Sequence, residues 1–178
     1  MIDKARLEQK CSMWNIALTG TQLDQLDAFA RILVDYNQKV NLTAITDPEG
    51  IEDKHFLDSL LFASQPEVAG KMVDVGAGAG FPGIPLCVLA GEETRFVLVD
   101  SLGKRVAFLN EAIAELRLNA EAVHARMEDF ARANRERFDV ATARAVAPVG
   151  VLAELALPAL KRSGRLIAYK GPSAAQEV

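Results

Sequence analysis

The stretch DVGAGAGFPG, residues 74–83, decides the fold, because its four glycines lie where an apolar run gives way to a helical pattern. The run before it, MVDV at 72–75, is typical of a buried strand, and the segment at 82–90 is predicted to be helical. Glycines at such a turn permit positive φ angles and let a ligand approach the backbone closely. The stretch therefore predicts a strand–loop–helix unit with a ligand at its loop.

Short β-rich runs and helical stretches continue to alternate from Lys71 onward. The predicted strands cover residues 72–75, 95–100, 121–125, 138–143 and 165–170. The predicted helices between them cover residues 82–90, 103–118, 127–135 and 149–161. Alternation of this kind is typical of a parallel, doubly wound sheet with right-handed crossovers. The predicted fold class is therefore α/β, with a Rossmann-like sheet.

The chain before residue 65 contains only helical patterns. Apolar residues recur at three- to four-residue steps over residues 7–18 and again over 23–40. Thr21 is expected to cap the second helix, and the pair Asp47-Pro48 is expected to start a third. The Rossmann-like domain is therefore preceded by helices.

The length and this change of pattern predict how the chain is organised. Its 178 residues fit one domain of ordinary size. We expect a helical extension at 1–65, packed as one unit with a ligand-binding α/β domain at 66–178. Cys11 and Cys87 lie far apart in apolar surroundings, which predicts two buried thiols and neither a disulfide framework nor a metal site.

The charge balance limits the classes of partner. With 20 basic and 24 acidic residues the net charge is −4, which argues against a globally basic nucleic-acid binder. The acidic surplus belongs to residues 1–90, which hold 7 basic and 12 acidic side chains. The N-terminus lacks the apolar segment of a signal peptide, and the longest apolar stretch, 145–160, is too short to span a bilayer. A cytoplasmic location is expected.

An acidic residue is expected to complete the ligand site. Asp100 ends the second predicted strand twenty positions after Gly80, where a carboxylate can hold both hydroxyls of a ribose. Two adenosine cofactors fit the loop. Gly78-x-Gly80-x-x-Gly83 satisfies the dinucleotide fingerprint, whereas Asp74 followed by alternate glycines suits the ammonium group of S-adenosylmethionine. The second is favoured, because the chain has no room for a separate substrate domain and shows no residues for hydride transfer.

Five motifs, in this order along the chain, carry a more specific resemblance. They are YNQKVNLTAI at 36–45, HFLDSL at 55–60, DVGAGAGFPGIPL at 74–86, DSLGKR at 100–105 and YKG at 169–171. Together they closely resemble the ribosomal small-subunit methyltransferase G family, also called glucose-inhibited division protein B. The resemblance implies S-adenosylmethionine as the cofactor and transfer of its methyl group to N7 of a guanosine in bacterial 16S rRNA.

The resemblance also implies which residues form the site. Together with Asp100 from the spacing argument, the residues expected to bind the cofactor are Gly76, Gly78, Phe81, Asp100, Met127, Glu128 and Arg144. The residues expected to contact rRNA are basic residues around the carboxyl edge of the predicted sheet, with His55 from the helical extension: His55, Lys104, Arg105, Arg126 and Lys170. Cations of this kind supply affinity through phosphates and do not choose the base. Ala125 and Ala143 depart from the family pattern, which commonly has serine at both positions.

The chemistry that the resemblance implies needs no general base. Guanine N7 has an available lone pair, so no catalytic side chain is assigned and positioning is expected to supply most of the acceleration. The segment ATARAVAP at 141–148 also lacks the Asn/Asp-Pro-Pro-aromatic group of amino-nitrogen methyltransferases. Two alternatives stay open: a class I methyltransferase acting on a small molecule, and a non-enzymatic nucleotide-binding module.

The partners and the end of the chain complete these expectations. We expect a monomer that binds 16S rRNA or the small ribosomal subunit and does not bind a membrane. The chain stops seven residues after Gly171, short of the strand pair that normally closes a class I methyltransferase sheet. The C-terminal strands are therefore expected to be missing.

Overall fold

The centre of the fold is a parallel sheet, seen in a computed structural model that describes residues 1–64 and 70–170. Its five strands stand in the order β3-β2-β1-β4-β5, and each neighbouring pair is parallel. They are β1 (Lys71–Val75), β2 (Arg95–Asp100), β3 (Ala120–His124), β4 (Phe138–Arg144) and β5 (Leu160–Tyr169). The strand order reverses at β1 and β4, which confirms the predicted Rossmann-like α/β class.

Helices cover both faces of this sheet. They are α5 (Gly83–Ala90) and α6 (Gly103–Leu116) on one face, and α7 (Met127–Ala133) and α8 (Val149–Ala156) on the other. Successive residues of β1 serve the two faces in turn, since Met72 is buried in the first core and Val73 in the second. A strand buried on both faces is nearly continuously apolar, and MVDV shows this pattern with Asp74 as its one polar residue.

Strand β5 differs from the prediction, because it begins earlier, at Leu160, and the helix before it is correspondingly shorter. Its register against β4 shifts between the pairs Phe138–Leu160 and Val140–Arg165. The polar stretch KRSG at 161–164 lies in this irregular part. Because the stretch has neither alternation nor an apolar run, its sequence is typical of a turn and concealed the strand.

The first two helices are α1 (Lys4–Ser12) and α2 (Gly20–Asn37), and both begin and end earlier than the predicted patterns at 7–18 and 23–40. The predicted cap of α2 is wrong by two residues, because Thr19 caps this helix and Thr21 does not. The Thr19 hydroxyl accepts from the Gln22 N–H at 3.2 Å, and the Gln22 side chain accepts from the Thr19 N–H at 2.8 Å. This reciprocal pair is a capping box, and it satisfies two backbone donors instead of one.

The third helical segment begins after Asp47, as predicted, because the Asp47 carboxylate accepts the Gly50 N–H at 2.7 Å. It consists of α3 (Pro48–Gly50), a π-helical stretch (Ile51–Leu57), α4 (Asp58–Leu60) and a 3₁₀ turn (Leu61–Ser64). π-Helical turns are rare and occur frequently at functional sites. This one carries His55, a predicted site residue.

The N-terminal helices and the sheet share one hydrophobic core. The ring of Phe29, on α2, lies 5.4 Å from that of Phe81 in the glycine loop and 6.2 Å from that of Phe108 on α6. It also lies 6.2 Å from the ring of Phe56. The expected division between residues 65 and 66 falls outside the described residues, and we propose that the chain folds as one unit.

Several expectations concern features away from the cleft. Cys11 and Cys87 are both buried, as predicted, and burial raises the pKa of their thiols to about 11 and about 12. None of the helices within residues 1–64 and 70–170 is long and apolar enough to cross a membrane. The same part of the chain brings together no group of three His, Cys, Asp or Glu residues that could hold a metal ion.

Replacing Phe29 by Ala is expected to destabilise the protein strongly, because it removes the ring that joins the helices to the glycine loop. A fully buried Phe→Ala change costs about 3–5 kcal/mol of unfolding free energy, measurable by chemical denaturation. Trp14→Ala is the matched control, since the Trp14 side chain is 53% exposed. Equal losses for the two variants would contradict the proposed single unit.

Candidate active site

A cleft opens at the carboxyl ends of the central strands, where the crevice of an open α/β sheet lies. It has a large lobe of about 620 Å³ toward α7 and a small lobe of about 440 Å³ toward the N-terminal helices. The residues that line both lobes are Gly76, Asp100, Ser101 and Val146. The two lobes are therefore parts of one cleft, joined over the ends of β1 and β2.

The glycine loop forms the floor of this junction. Gly76, Gly78 and Gly80 have φ angles of +65°, +56° and +88°, which side chains rarely permit. A Cβ at Gly76 would lie 2.8 Å from a methyl carbon of Val146, so a side chain there would have to displace Val146 as well as adopt a strained φ. At Gly78 the nearest atom would be a backbone oxygen at 3.8 Å, which leaves its open side to a ligand.

Asp100 links the glycine loop to the end of β2. Its buried carboxylate accepts from the Gly78 N–H and the Leu102 N–H, each at 2.9 Å. The guanidinium of Arg105 lies 3.6 Å from the same carboxylate. A carboxylate offers about four lone-pair sites, so two backbone donors leave room for ribose hydroxyls.

Asp74, the other acidic residue of the loop motif, is not arranged as expected. Its buried carboxylate accepts from the Thr142 hydroxyl at 2.7 Å and from the Gly83 N–H at 3.1 Å. Burial raises the pKa of Asp74 to about 7. This carboxylate holds the start of α5 and lines neither lobe. The expectation that it would receive the ammonium group of the cofactor is therefore wrong.

Arg144, at the end of β4, is held in place on every side. Its Nη1 donates to the Lys54 carbonyl at 3.0 Å and to the Asp58 carboxylate at 2.9 Å. Its Nη2 donates to Nδ1 of His55 at 3.2 Å, and its guanidinium lies 5.1 Å from the ring centre of Phe81. The π-helical stretch and α4 supply the three hydrogen-bond partners, so the N-terminal helices build one wall of the cleft.

The surroundings of His55 define its protonation state. Because a guanidinium only donates, Nδ1 must accept from Arg144, and Nε2–H therefore donates to the Thr43 hydroxyl at 2.9 Å. The ring stacks on Phe81 at 4.2 Å and is 7% exposed. Burial, then the charge of Arg144, lowers the pKa of His55 to about 4. A buried neutral ring does not fit the expected phosphate contact, and the geometry makes His55 a partner of Arg144.

The other predicted residues divide between the lobes. Met127, Glu128 and Arg126 line the large lobe, beside Asp100. Phe81, Gly78, Arg105 and Arg144 line the small lobe. Their binding roles stay predictions.

Two predicted RNA contacts lie outside both lobes. Lys104 is exposed at the start of α6, and the Lys170 ammonium donates to the Ala147 carbonyl at 2.5 Å. The Gly171 that follows in the YKG motif falls outside the described residues, as do any strands after it. Ala143, one of the two departures from the family pattern, is fully buried.

Sequence reasoning missed several residues that line the cleft. Thr43, the hydrogen-bond partner of His55, lines the small lobe. Its position within the motif at 36–45 is the only sequence feature that points to a role in the site. Ala145 has a φ of +55° and turns the chain so that Val146 packs on Gly76. A left-handed alanine has no sequence signature, so this part of the cleft was not predictable from the pattern.

Comparisons with known proteins show which proteins this chain is similar to. The ribosomal RNA small subunit methyltransferase G of Desulfitobacterium hafniense is 52% identical over 168 residues, which cover 92% of this chain and 69% of that protein. Its namesake from Clostridium botulinum is 40% identical over 177 residues, which cover 97% and 74%.

Solved structures show the same fold at much lower identity. A SAM-dependent O-methyltransferase from Thermotoga maritima has a TM-score of 0.58 at 17% identity, covering 82% of this chain and 52% of that one. The family described as rRNA small subunit methyltransferase G matches residues 22–178. Because this match covers residues 22–178 and the two relatives are 52% and 40% identical over more than two thirds of their length, the chain belongs to the rRNA small subunit methyltransferase G family.

Proposed function

We propose that this protein transfers a methyl group from S-adenosylmethionine to N7 of a guanosine in 16S rRNA. The observation that carries the proposal is the cleft, in which Asp100 and the glycine loop lie at the junction of two lobes. A cofactor can occupy one lobe while the other receives the acceptor base. The protein is further proposed to act as a cytoplasmic monomer on 16S rRNA or the small ribosomal subunit.

The residues of the cleft fit S-adenosylmethionine. Asp100 would hold the ribose, while Met127 and Glu128 would border the adenine in the large lobe. Gly76, which lines both lobes, and Gly78 would admit the remainder of the cofactor, since the nearest atom to a Cβ at Gly78 would be a backbone oxygen at 3.8 Å. Bound there, the cofactor supplies an electrophilic methyl group on a sulfonium.

The protein's part in the reaction is to position the acceptor and to exclude water. Guanine N7 has a free lone pair, so it can attack the methyl group without first losing a proton. The reaction therefore needs no carboxylate in the cleft to act as a base, and Asp74 lines neither lobe. Arg144 is neutralised by Asp58, so it places no bare positive charge beside the moving methyl group. Orientation alone can supply several kcal/mol of the barrier reduction. A pH–rate profile with an essential base near neutrality would contradict this mechanism.

The RNA face is proposed to lie around the rim of the cleft. Arg126 borders the large lobe and is exposed, Arg105 borders the small lobe, and Lys104 lies next to it. Cations at these places would hold phosphates on both sides of the target nucleotide. Since Arg105 also pairs with Asp100, it belongs to the cofactor site as well as to this face.

The proposal is tested by incubating the purified protein with S-adenosylmethionine and small ribosomal subunits that lack the modification. We expect 7-methylguanosine at one position of the 16S rRNA, identified by mass spectrometry of nuclease fragments. S-adenosylhomocysteine is expected to raise the Tm of the protein and NAD is not, because only a bound ligand stabilises the native state. Persistence of 7-methylguanosine in 16S rRNA from a strain lacking the gene would refute the proposal.

Asp100→Asn is expected to weaken cofactor binding, because an amide cannot accept both backbone hydrogen bonds and the ribose hydroxyls. The Kd for S-adenosylhomocysteine, measured by calorimetry, is expected to rise about 10- to 100-fold, or about 1.4–2.7 kcal/mol. Asp129→Asn is the control, since it removes the same charge from an exposed residue outside both lobes. An unchanged Kd in Asp100→Asn would remove Asp100 from the cofactor site.

His55 is expected to make stability depend on pH in a specific window. Its pKa falls from 6.5 to about 4 on folding, so the unfolded chain binds the proton more readily between these values. Stability should therefore decline as the pH falls from 6.5 toward 4, by up to about 3 kcal/mol from this group. The advantage of the wild type over His55→Asn in denaturation experiments should shrink across this window. A constant difference would show that His55 is not neutral in the folded protein across this window.

A further inference from the structure

The cleft continues beyond the large lobe. Glu128 and Leu155 line the large lobe and also a depression of about 410 Å³ between α7 and α8. Arg135 and Pro158 line that depression and also a further one of about 280 Å³. Each depression thus shares two residues with its neighbour. The two depressions beyond the large lobe form one groove, here named the α7–α8 groove.

The groove runs along the strands, from their carboxyl ends to their amino ends. The large lobe lies at the carboxyl ends of the strands, whereas the far depression is lined by Leu160, Lys161 and Arg162 at the start of β5. β4 runs between the same two ends of the sheet, and its seven residues give the groove a length of about 20 Å. A ligand filling the groove would be an extended polymer and not a small molecule.

The far depression carries an excess of positive charge. Arg135, Lys161 and Arg162 line it, against a single acidic residue, Glu136. Lys161 is paired with Asp139 at 2.6 Å. Arg135 and Arg162 are exposed, and neither has a carboxylate partner among residues 1–64 and 70–170. Guanidinium groups without carboxylates are suited to bidentate contacts with phosphate.

The middle of the groove has a different character. Glu128 and Glu154 line it together with Arg132, so its charge is nearly balanced. The middle depression has an exposed apolar side chain, Val151 at 46%, and Leu157, 53% exposed, lines the far depression. Attraction to a polyanion is therefore concentrated at the far end, while the middle offers apolar surface to unstacked bases.

We propose that the α7–α8 groove docks the strand of rRNA that leads away from the target nucleotide, with its phosphates held by Arg135 and Arg162. This inference rests on the proposed function: with the adenine in the large lobe and the acceptor base in the small lobe, the strand leaving the small lobe would pass exposed Arg126 at the rim of the large lobe and reach the groove that begins there. No sequence pattern indicates the groove, since Arg132 and Arg135 have the pattern of ordinary surface charges. Single-stranded rRNA fits, because its bases can lie on apolar and guanidinium surfaces.

The double variant R135E/R162E tests the inference through binding of protein-free 16S rRNA, measured by fluorescence anisotropy over a salt series. Removing two phosphate contacts is expected to raise Kd about tenfold and to reduce the slope of log K against log salt by about 1.4. R117E is the matched control, because Arg117 is an exposed arginine beside β3 at the opposite edge of the sheet. R162E changes the net charge by the same amount as R117E, so these single variants are compared directly.

The possible outcomes separate this inference from the proposed function. A wild type that neither binds nor methylates 16S rRNA refutes the proposed function. A wild type that does both, with R162E binding rRNA as tightly as R117E, overturns the groove inference alone. A defect seen on small ribosomal subunits but absent with protein-free rRNA would assign the groove to a protein partner and also overturn it. An unchanged thermal shift with S-adenosylhomocysteine verifies that each variant is folded.

Discussion

The close approach of the glycine loop to the N-terminal helices is the constraint on which the site depends. A Cβ at Gly80 would lie 2.8 Å from the Ile84 side chain and 3.1 Å from the ring of Phe29. Only a glycine therefore lets the loop settle on α2, and its φ of +88° is available to glycine at no cost. The next residue, Phe81, is thereby placed against His55, so the cleft takes its second wall from the helices.

The electrostatics of that wall follow from the same packing. Arg144 carries a permanent charge into a largely buried position, where an unpaired cation would cost several kcal/mol. Asp58 supplies the opposite charge, and His55 adds an acceptor at 3.2 Å that must stay neutral to accept. The lowered pKa of His55 and the fixed guanidinium are thus two consequences of one arrangement. The helical segment is a structural part of the site and not an appendage.

The features predictable from sequence were those encoded locally. The buried strands are apolar runs, the loop is marked by its closely spaced glycines, and Asp100 is identified by its place at the end of a strand. The contact of His55 with Arg144 joins residues 89 positions apart, so no local pattern could show that the histidine is neutral. The α7–α8 groove was not predictable for the same reason, because its lining comes from α7, α8 and the start of β5, which are distant in sequence. The start of β5 was missed because register irregularity removes the periodicity on which prediction relies.

The net charge of −4 argued against a nucleic-acid binder, yet charge acts over short distances in salt solution. At physiological ionic strength, screening limits the reach of exposed charges to about 8 Å. The N-terminal helices that hold much of the acidic surplus pack on the face of α5 and α6, whereas the α7–α8 groove lies on the opposite face of the sheet. A sheet with helices on both sides separates these faces by more than about 10 Å. An rRNA strand in the groove would therefore respond to Arg126, Arg135 and Arg162 and scarcely to the acidic residues behind the sheet.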